Sequence, residues 1–205
     1  MSILFSTPCY SGQCTTAYLM SMMRLQSELL GAGLEHDFNF GWNESLITRA
    51  RNEMAMWFIK TKFERQMWID ADIQFEPEDV AKLWNLDADI AVAAYAMKLP
   101  DKPLSAWKNG KLVKLEECPS EPFEVDYAGT GFMLVKRSVY EALMPTTQSY
   151  EGNTGRAHAF YLTPIHDDDF ESEDYHFCRR AREAGFKIMM DPSIKLGHIG
   201  QYRYA

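Results

Sequence analysis

Two periods alternate along this chain. Ser2–Thr7 is a short apolar run that reads as a strand broken at Pro8, and GQCTTAYLMSMMRLQSELLGAG then carries apolar residues at helical spacing up to a glycine stop at Gly31 or Gly33. LEHDFNF can form a second strand, and NESLITRARNEMAMWFIKTKF a second helix with Asn43 or Ser45 as its N-cap. QMWID is a third strand, Pro77 opens a helix over EDVAKLWNL, and ADIAVAAYAM is a fourth, buried strand. Strands alternating with helices predict an α/β fold around a mixed, mostly parallel central sheet with helices on both faces.

The pattern changes after Lys98. PLSAWKNGKLVKL reads as a hairpin turning at Asn109-Gly110, FEVDYAGTGFMLVKR as a strand interrupted by glycines, and SVYEALM as a short helix. From Pro145 to Asp169 turn formers dominate and periodicity is weak, which in a compact domain marks a functional or mobile loop. SEDYHFCRRAREAG then reads as a capped helix, FKIMMD as a strand and PSIKLGHIG as a last extended segment, so the second half should add a small hairpin or second sheet. The whole, 1–205, is expected to be a single domain in two halves, 1–98 and 99–205.

Composition narrows the class. A chain of 205 residues that is 46% hydrophobic and 24% charged suits one globular domain with a real core. Its formal net charge of -8 argues against an extended nucleic acid as partner, though not against a local pocket for one small anion. Cys9, Cys14, Cys118 and Cys178 form neither a CxxC pair nor a dense disulfide framework, and reduced thiols in the cytoplasm are the simplest reading. The N-terminus lacks a basic n-region and a long apolar run, and no stretch approaches the ~20 apolar residues of a membrane span.

Asp70-Ala71-Asp72 is the chemical question in the sequence. If the strand QMWID continued through them, both acids would share one face roughly 6.6 Å apart. At an effective dielectric of about 20 they would repel by roughly 2.5 kcal/mol, so a positive group is expected between them. At the carboxyl end of a parallel strand such a pair points into the crevice where open α/β sheets bind ligands, and it suits Mg2+ or Mn2+ bridging to a diphosphate. Two aspartates one residue apart also occur in ordinary surface turns.

With this strand-end pair the sequence resembles the nucleotide-sugar-dependent glycosyltransferases of the GT-A fold, whose metal signature is a DxD. Three further motifs follow in that family's order: AGTGFMLVKR resembles the glycine loop, ESEDYHFCRRARE the xED motif opening a helix, and KLGHIG supplies a late histidine. The resemblance runs from the first strand to His198 and implies a GT-A, Rossmann-like domain with 1–98 as nucleotide-binding half and 99–205 as acceptor-binding half. It implies a metal held by Asp70, Asp72 and His198. Donor contacts would come from Thr7, Pro8, Tyr10, Arg51, Asp70, Ala71 and Asp72, and Gly129, Thr130 and Gly131 would lie near donor and acceptor. Asp174 would be the catalytic base and Glu173 its support. The same residues have plainer uses: the glycines permit a bulge, and Ser172, Glu173 and Asp174 make a good helix start. Arg51 is favoured over Arg49 for the site, with pairing to Glu44 or Glu53 as the alternative for this helix. Trp107, Tyr150, His158, Phe160 and Tyr161 are candidate faces for a sugar ring.

The implied activity is a metal-dependent, inverting transfer of a hexosyl or deoxyhexosyl group from a nucleoside diphosphate sugar, UDP-sugar favoured, to a hydroxyl of a glycan or glycoprotein. A sugar nucleotidyltransferase and a non-catalytic carbohydrate-binding module are the alternatives. No Gly-rich, lysine-containing loop follows the first strand to support the former. In its compact size the chain is also similar to the small glycosyltransferases of large algal viruses, which would place it in a host cytoplasm.

Overall fold

The computed structural model describes residues 2–99, 103–153, 155–200 and 203–204. The first half runs β1 (Ser2–Cys9), α1 (Thr16–Gly31), β2 (Glu35–Trp42), α2 (Ile47–Lys60), β3 (Arg65–Ile69), β4 (Ile73–Gln74), α3 (Pro77–Asn85) and β5 (Ile90–Val92). The second half begins with β6 (Ala106–Lys108), β7 (Lys111–Leu112), β8 (Phe123–Val125), β9 (Tyr127–Ala128), β10 (Phe132–Lys136) and α4 (Arg137–Leu143). Two small hairpins follow, β11 (Ser149–Gly152) with β12 (Gly155–His158) and β13 (Ile165–His166) with β14 (Asp169–Phe170). The chain then runs through α5 (Glu173–Glu183), β15 (Ile188–Met190), β16 (Gly197–Ile199) and β17 (Arg203–Tyr204).

Seven strands from both halves form one sheet in the order β2-β1-β3-β10-β5-β15-β8. The β1–β2, β1–β3 and β5–β15 pairs are parallel, whereas β10 and β8 run against their neighbours. The sheet is therefore mixed and mostly parallel, as the alternation of periods predicts. Successive residues of its central strands feed two separate cores. Leu4, Trp68, Ile90, Val92, Met133 and Val135 pack on one face against residues of α2, α4 and α5. Ile3, Phe5, Met67, Ile69, Ala91 and Leu134 pack on the other, against α1 and α3. Burial on both faces explains why these strands read as continuous apolar runs rather than alternating ones.

Local chemistry explains several boundaries. Thr15 caps α1, its hydroxyl oxygen accepting the Tyr18 N–H at 3.2 Å, and Pro77 opens α3 behind a reciprocal Glu76–Asp79 capping box. Asn109 and Gly110 both have positive φ, at 52° and 72°, giving the expected hairpin turn between β6 and β7.

Other boundaries differ from expectation. Pro8 does not break β1: it pairs with Gly41 of β2, beyond the Ile3–Ser6 segment that β3 covers, so its missing N–H removes no bond to β3. Neither Asn43 nor Ser45 caps α2. Leu46 stands at the N-cap, its N–H donating to Glu44 at 2.9 Å, while Asn43 takes a left-handed turn conformation. The fourth strand shortens to Ile90–Val92, and the weakly periodic 145–169 region contains the two hairpins.

Candidate active site

β3 ends at Ile69, so Asp70 and Asp72 do not share a strand face; they belong to a turn, closed by the Ile73 N–H donating to the Asp70 carbonyl at 3.0 Å. Each acid has its own cation rather than a common one between them. Arg51, reaching from α2, donates Nη2–H to Asp70 Oδ1 at 2.9 Å and Nε–H to Glu173 Oε1 at 3.5 Å, with its guanidinium 5.4 Å from the Trp68 ring centroid. Its side chain is only 4% exposed. Burial opposes its charge, and the carboxylates of Asp70 and Glu173 overcome that opposition and hold the guanidinium firmly protonated. Arg49 instead points outward to Glu44.

Asp72 faces Lys98, whose Nζ donates to Oδ2 at 2.6 Å, and His198, whose Nε2 lies 3.5 Å from the same oxygen. β16 brings His198 there by pairing with β4, His198 opposite Ile73, and the Ile199 N–H donates to the Asp72 carbonyl at 2.8 Å. His198 Nδ1 is 2.9 Å from the Ala96 carbonyl. A carbonyl only accepts, so Nδ1 donates to it, and Nε2 is the ring nitrogen that faces Asp72. Burial works against ionisation of Asp72, but His198 and Lys98 together bring its carboxyl below the usual range. Among the described residues no three His, Cys, Asp or Glu side chains converge to hold a metal: Asp72 and His198 meet, while Asp70 turns to Arg51.

Arg51, Asp70 and Asp72 line a cleft of about 570 Å³ with Pro8, Tyr10, Gln13, Cys14, Thr15, Ile47, Ala71, Tyr95, Glu173 and Asp174, and Lys98 and His198 adjoin it through their contacts with Asp72. It opens beyond the carboxyl ends of β1, β3 and β5, where α/β sheets place ligands. Tyr10 is exposed. Thr7 is buried, its hydroxyl 2.7 Å from the Tyr18 hydroxyl, so its side chain serves the core. The Ala71 carbonyl accepts the Thr15 N–H at 2.9 Å, tying the Asp70–Asp72 turn to the start of α1.

At the start of α5, Ser172 donates its hydroxyl to Asp174 Oδ1 and makes no bond to the helix backbone; the Tyr175 N–H donates to the same oxygen at 2.9 Å. Burial, and secondarily the charge of Glu173, pushes the Asp174 carboxyl up to about 6.

Gly129, Thr130 and Gly131 form a layer behind the cleft. A Cβ on Gly129 would lie 2.5 Å from the Tyr95 hydroxyl, and one on Gly131 2.5 Å from the Tyr95 ring. The glycines leave room for Tyr95, which lines the cleft and packs edge-on against His198 at 4.9 Å. Gly131 also accepts the Asp70 N–H through its carbonyl at 3.0 Å, and Thr130 is buried. Tyr95 and Lys98 were not singled out from the sequence, because neither sits in a motif.

A second cleft, about 430 Å³, lies on the other side of Ser172, lined by Trp107, Tyr127, Tyr175, His166, Asp167, Asp169, Phe170 and Glu171. Of the five aromatic candidates only Trp107 is here. Phe160 and Tyr161 are core residues, Tyr161 stacked on Phe177 and hydrogen-bonded through its hydroxyl to that of Tyr140, so they offer no face to a sugar. Tyr150 and His158 stand on the β11–β12 hairpin. Asn52 holds the Tyr161 backbone from both sides, accepting its N–H at 2.8 Å and donating to its carbonyl at 2.9 Å.

All four cysteines are free, and among the described residues no helix is long and apolar enough to cross a membrane. No protein-family model matches the chain, and no curated protein matches it by sequence. Solved structures do. A197 from STIV is 17% identical with a TM-score of 0.60, over 98% of this chain and 86% of that one. A Drosophila beta-1,4-galactosyltransferase 7 mutant, solved with manganese, UDP-Gal and xylobiose, is 11% identical with a TM-score of 0.53, over 98% and 71%. The inositol-1-phosphate CTP transferase from T. maritima is 11% identical with a TM-score of 0.50, over 97% and 89%. At these identities the likeness establishes architecture alone: the chain has the GT-A, Rossmann-like α/β fold found in nucleotide-sugar-using glycosyltransferases and in nucleotidyltransferases.

Proposed function

We propose that this protein is a divalent-metal-dependent, inverting glycosyltransferase acting from a nucleoside diphosphate sugar, UDP-sugar favoured, on a carbohydrate hydroxyl. The observation that carries this reading is that one cleft is lined both by Asp72, paired with the His198 imidazole, and by Asp174, a carboxyl poised near neutrality. The Asp72 carboxylate and His198 Nε2 form a donor set that suits Mn2+ or Mg2+, leaving further positions to diphosphate oxygens and water. Bound there, the cation would neutralise charge developing on the departing diphosphate.

The other roles fall to the chain itself. Asp174, ionised above about pH 6, accepts the proton of the attacking hydroxyl. Ser172 and the Tyr175 N–H hold its Oδ1 and so fix the carboxyl. Arg51 joins Asp70 to Glu173, keeping the turn after β3 and the start of α5 in register across the cleft. Pro8 and Tyr10 suit a nucleoside base and ribose, and Trp107, Tyr127 and Tyr175 suit the acceptor sugar.

A screen of UDP-, GDP- and dTDP-sugars with Mn2+ tests the reading. Transfer with release of the nucleoside diphosphate supports it; pyrophosphate release from a nucleoside triphosphate would indicate a nucleotidyltransferase instead. Asp174→Asn should lower transfer by about 10²- to 10⁴-fold. Calorimetry should find its Mn2+-dependent UDP binding unchanged, and near-normal turnover would refute the base assignment.

A further inference from the structure

Lys98, which adjoins the cleft through Asp72, differs from the cation that lines it. Arg51 is buried and clamped by two carboxylates, whereas the Lys98 side chain is 36% exposed and holds one oxygen, Asp72 Oδ2, at 2.6 Å. That oxygen is also the one His198 Nε2 faces. The lysine stem passes beside Gly200, where a Cβ would come within 3.2 Å of Lys98 Cδ; a larger residue there would crowd the stem. A four-carbon stem with a compact ammonium on one partner can swing several ångströms at small cost, whereas the Arg51 fork is held by two carboxylates at once. The cleft is lined by four carboxylates, Asp70, Asp72, Glu173 and Asp174, and by the cation Arg51, with Lys98 adjoining through Asp72, so a diphosphate arriving without further positive charge is repelled.

We propose that Lys98 is a resident counter-ion of Asp72 that gives way when nucleoside diphosphate and divalent cation bind together, its freed ammonium then pairing with the diphosphate. This rests on the glycosyltransferase reading of the cleft and adds a coupling to it. With the nucleotide absent, the ammonium keeps its partner and Asp72 Oδ2 stays engaged. With the diphosphate present, leaving Asp72 costs the lysine little. Metal and nucleotide therefore favour each other's binding, by the same factor in both directions.

The test measures Mn2+ alone, UDP alone and UDP at saturating Mn2+ by calorimetry, with Mn2+ binding repeated by electron paramagnetic resonance, on the wild-type protein, Lys98→Met and Lys98→Gln. The lysine-free variants should bind Mn2+ alone about fivefold more tightly, the loss of one partly exposed ion pair. The Mn2+–UDP coupling factor should fall by roughly tenfold. Unchanged Mn2+ affinity or unchanged coupling in both variants overturns the role of Lys98 while leaving the glycosyltransferase reading in place. A wild-type protein whose UDP binding ignores Mn2+ overturns the coupling and the metal-dependent reading together. UDP binding that needs Lys98 but no metal also overturns the exchange, making the lysine a permanent substitute for the cation.

Discussion

At the scale of single residues, the chemistry turns on how each carboxyl is compensated. Asp70 and Asp72 have strong cationic partners, whereas burial dominates at Asp174 and raises its proton affinity. The direction matters for pH. Protonation below about 6 would remove the base proposed above, so kcat/KM should fall about tenfold per pH unit on the acid side and level off above it. The Arg51 guanidinium opposes the upward shift, so in Arg51→Met the acid limb should move above 6, as a pH–rate profile would detect. The acids were legible in the sequence because a motif surrounds them, and so was Arg51, on a helix whose spacing separates it from Arg49. Lys98 was not, since a lysine between a strand and a loop carries no pattern until β16 folds back and closes the space around Asp72.

At the scale of elements, the glycine loop is a packing device before anything else. Gly131 has no side chain because the Tyr95 ring occupies that volume, and Tyr95 in turn supports His198. Gly131→Ala should destabilise the protein by about 1–3 kcal/mol through overpacking. Adding Tyr95→Ala should recover part of that loss in urea unfolding, because the two changes act on one contact. Equal and additive losses would show that the loop tolerates the methyl elsewhere. The sequence located this loop but not its partner, since Tyr95 lies in a stretch that reads as strand and leaves the sheet after Val92. Helix starts were legible where a capping box or a proline marks them, as at α3. At α2, where Asn43 or Ser45 was expected to cap, no side chain caps the first turn, and Glu44 accepts only the N–H of the N-cap residue Leu46.

At the scale of the whole molecule, periodicity announced the layers but not their order. An apolar run shows that a strand is buried on both faces; it does not show that β10 inserts antiparallel between β3 and β5. Nor does it show that β16 leaves the main sheet to pair with β4, the step that brings His198 to Asp72. The core between these parts is cross-linked by a polar chain: Trp68 Nε1–H of β3 donates to the Tyr140 hydroxyl of α4 at 2.9 Å, and that hydroxyl lies 2.9 Å from the Tyr161 hydroxyl. All three side chains are buried. Tyr140→Phe should therefore cost about 1–3 kcal/mol in chemical denaturation, since it strands the indole donor with no water to take its place.

Strand order also sets a timetable. A ribosome delivers every strand of the seven-stranded sheet before it delivers His198, so the scaffold has all its parts while Asp72 still lacks its imidazole. Competence to gather the ring to the carboxylate is acquired only after the framework that must hold both has been made.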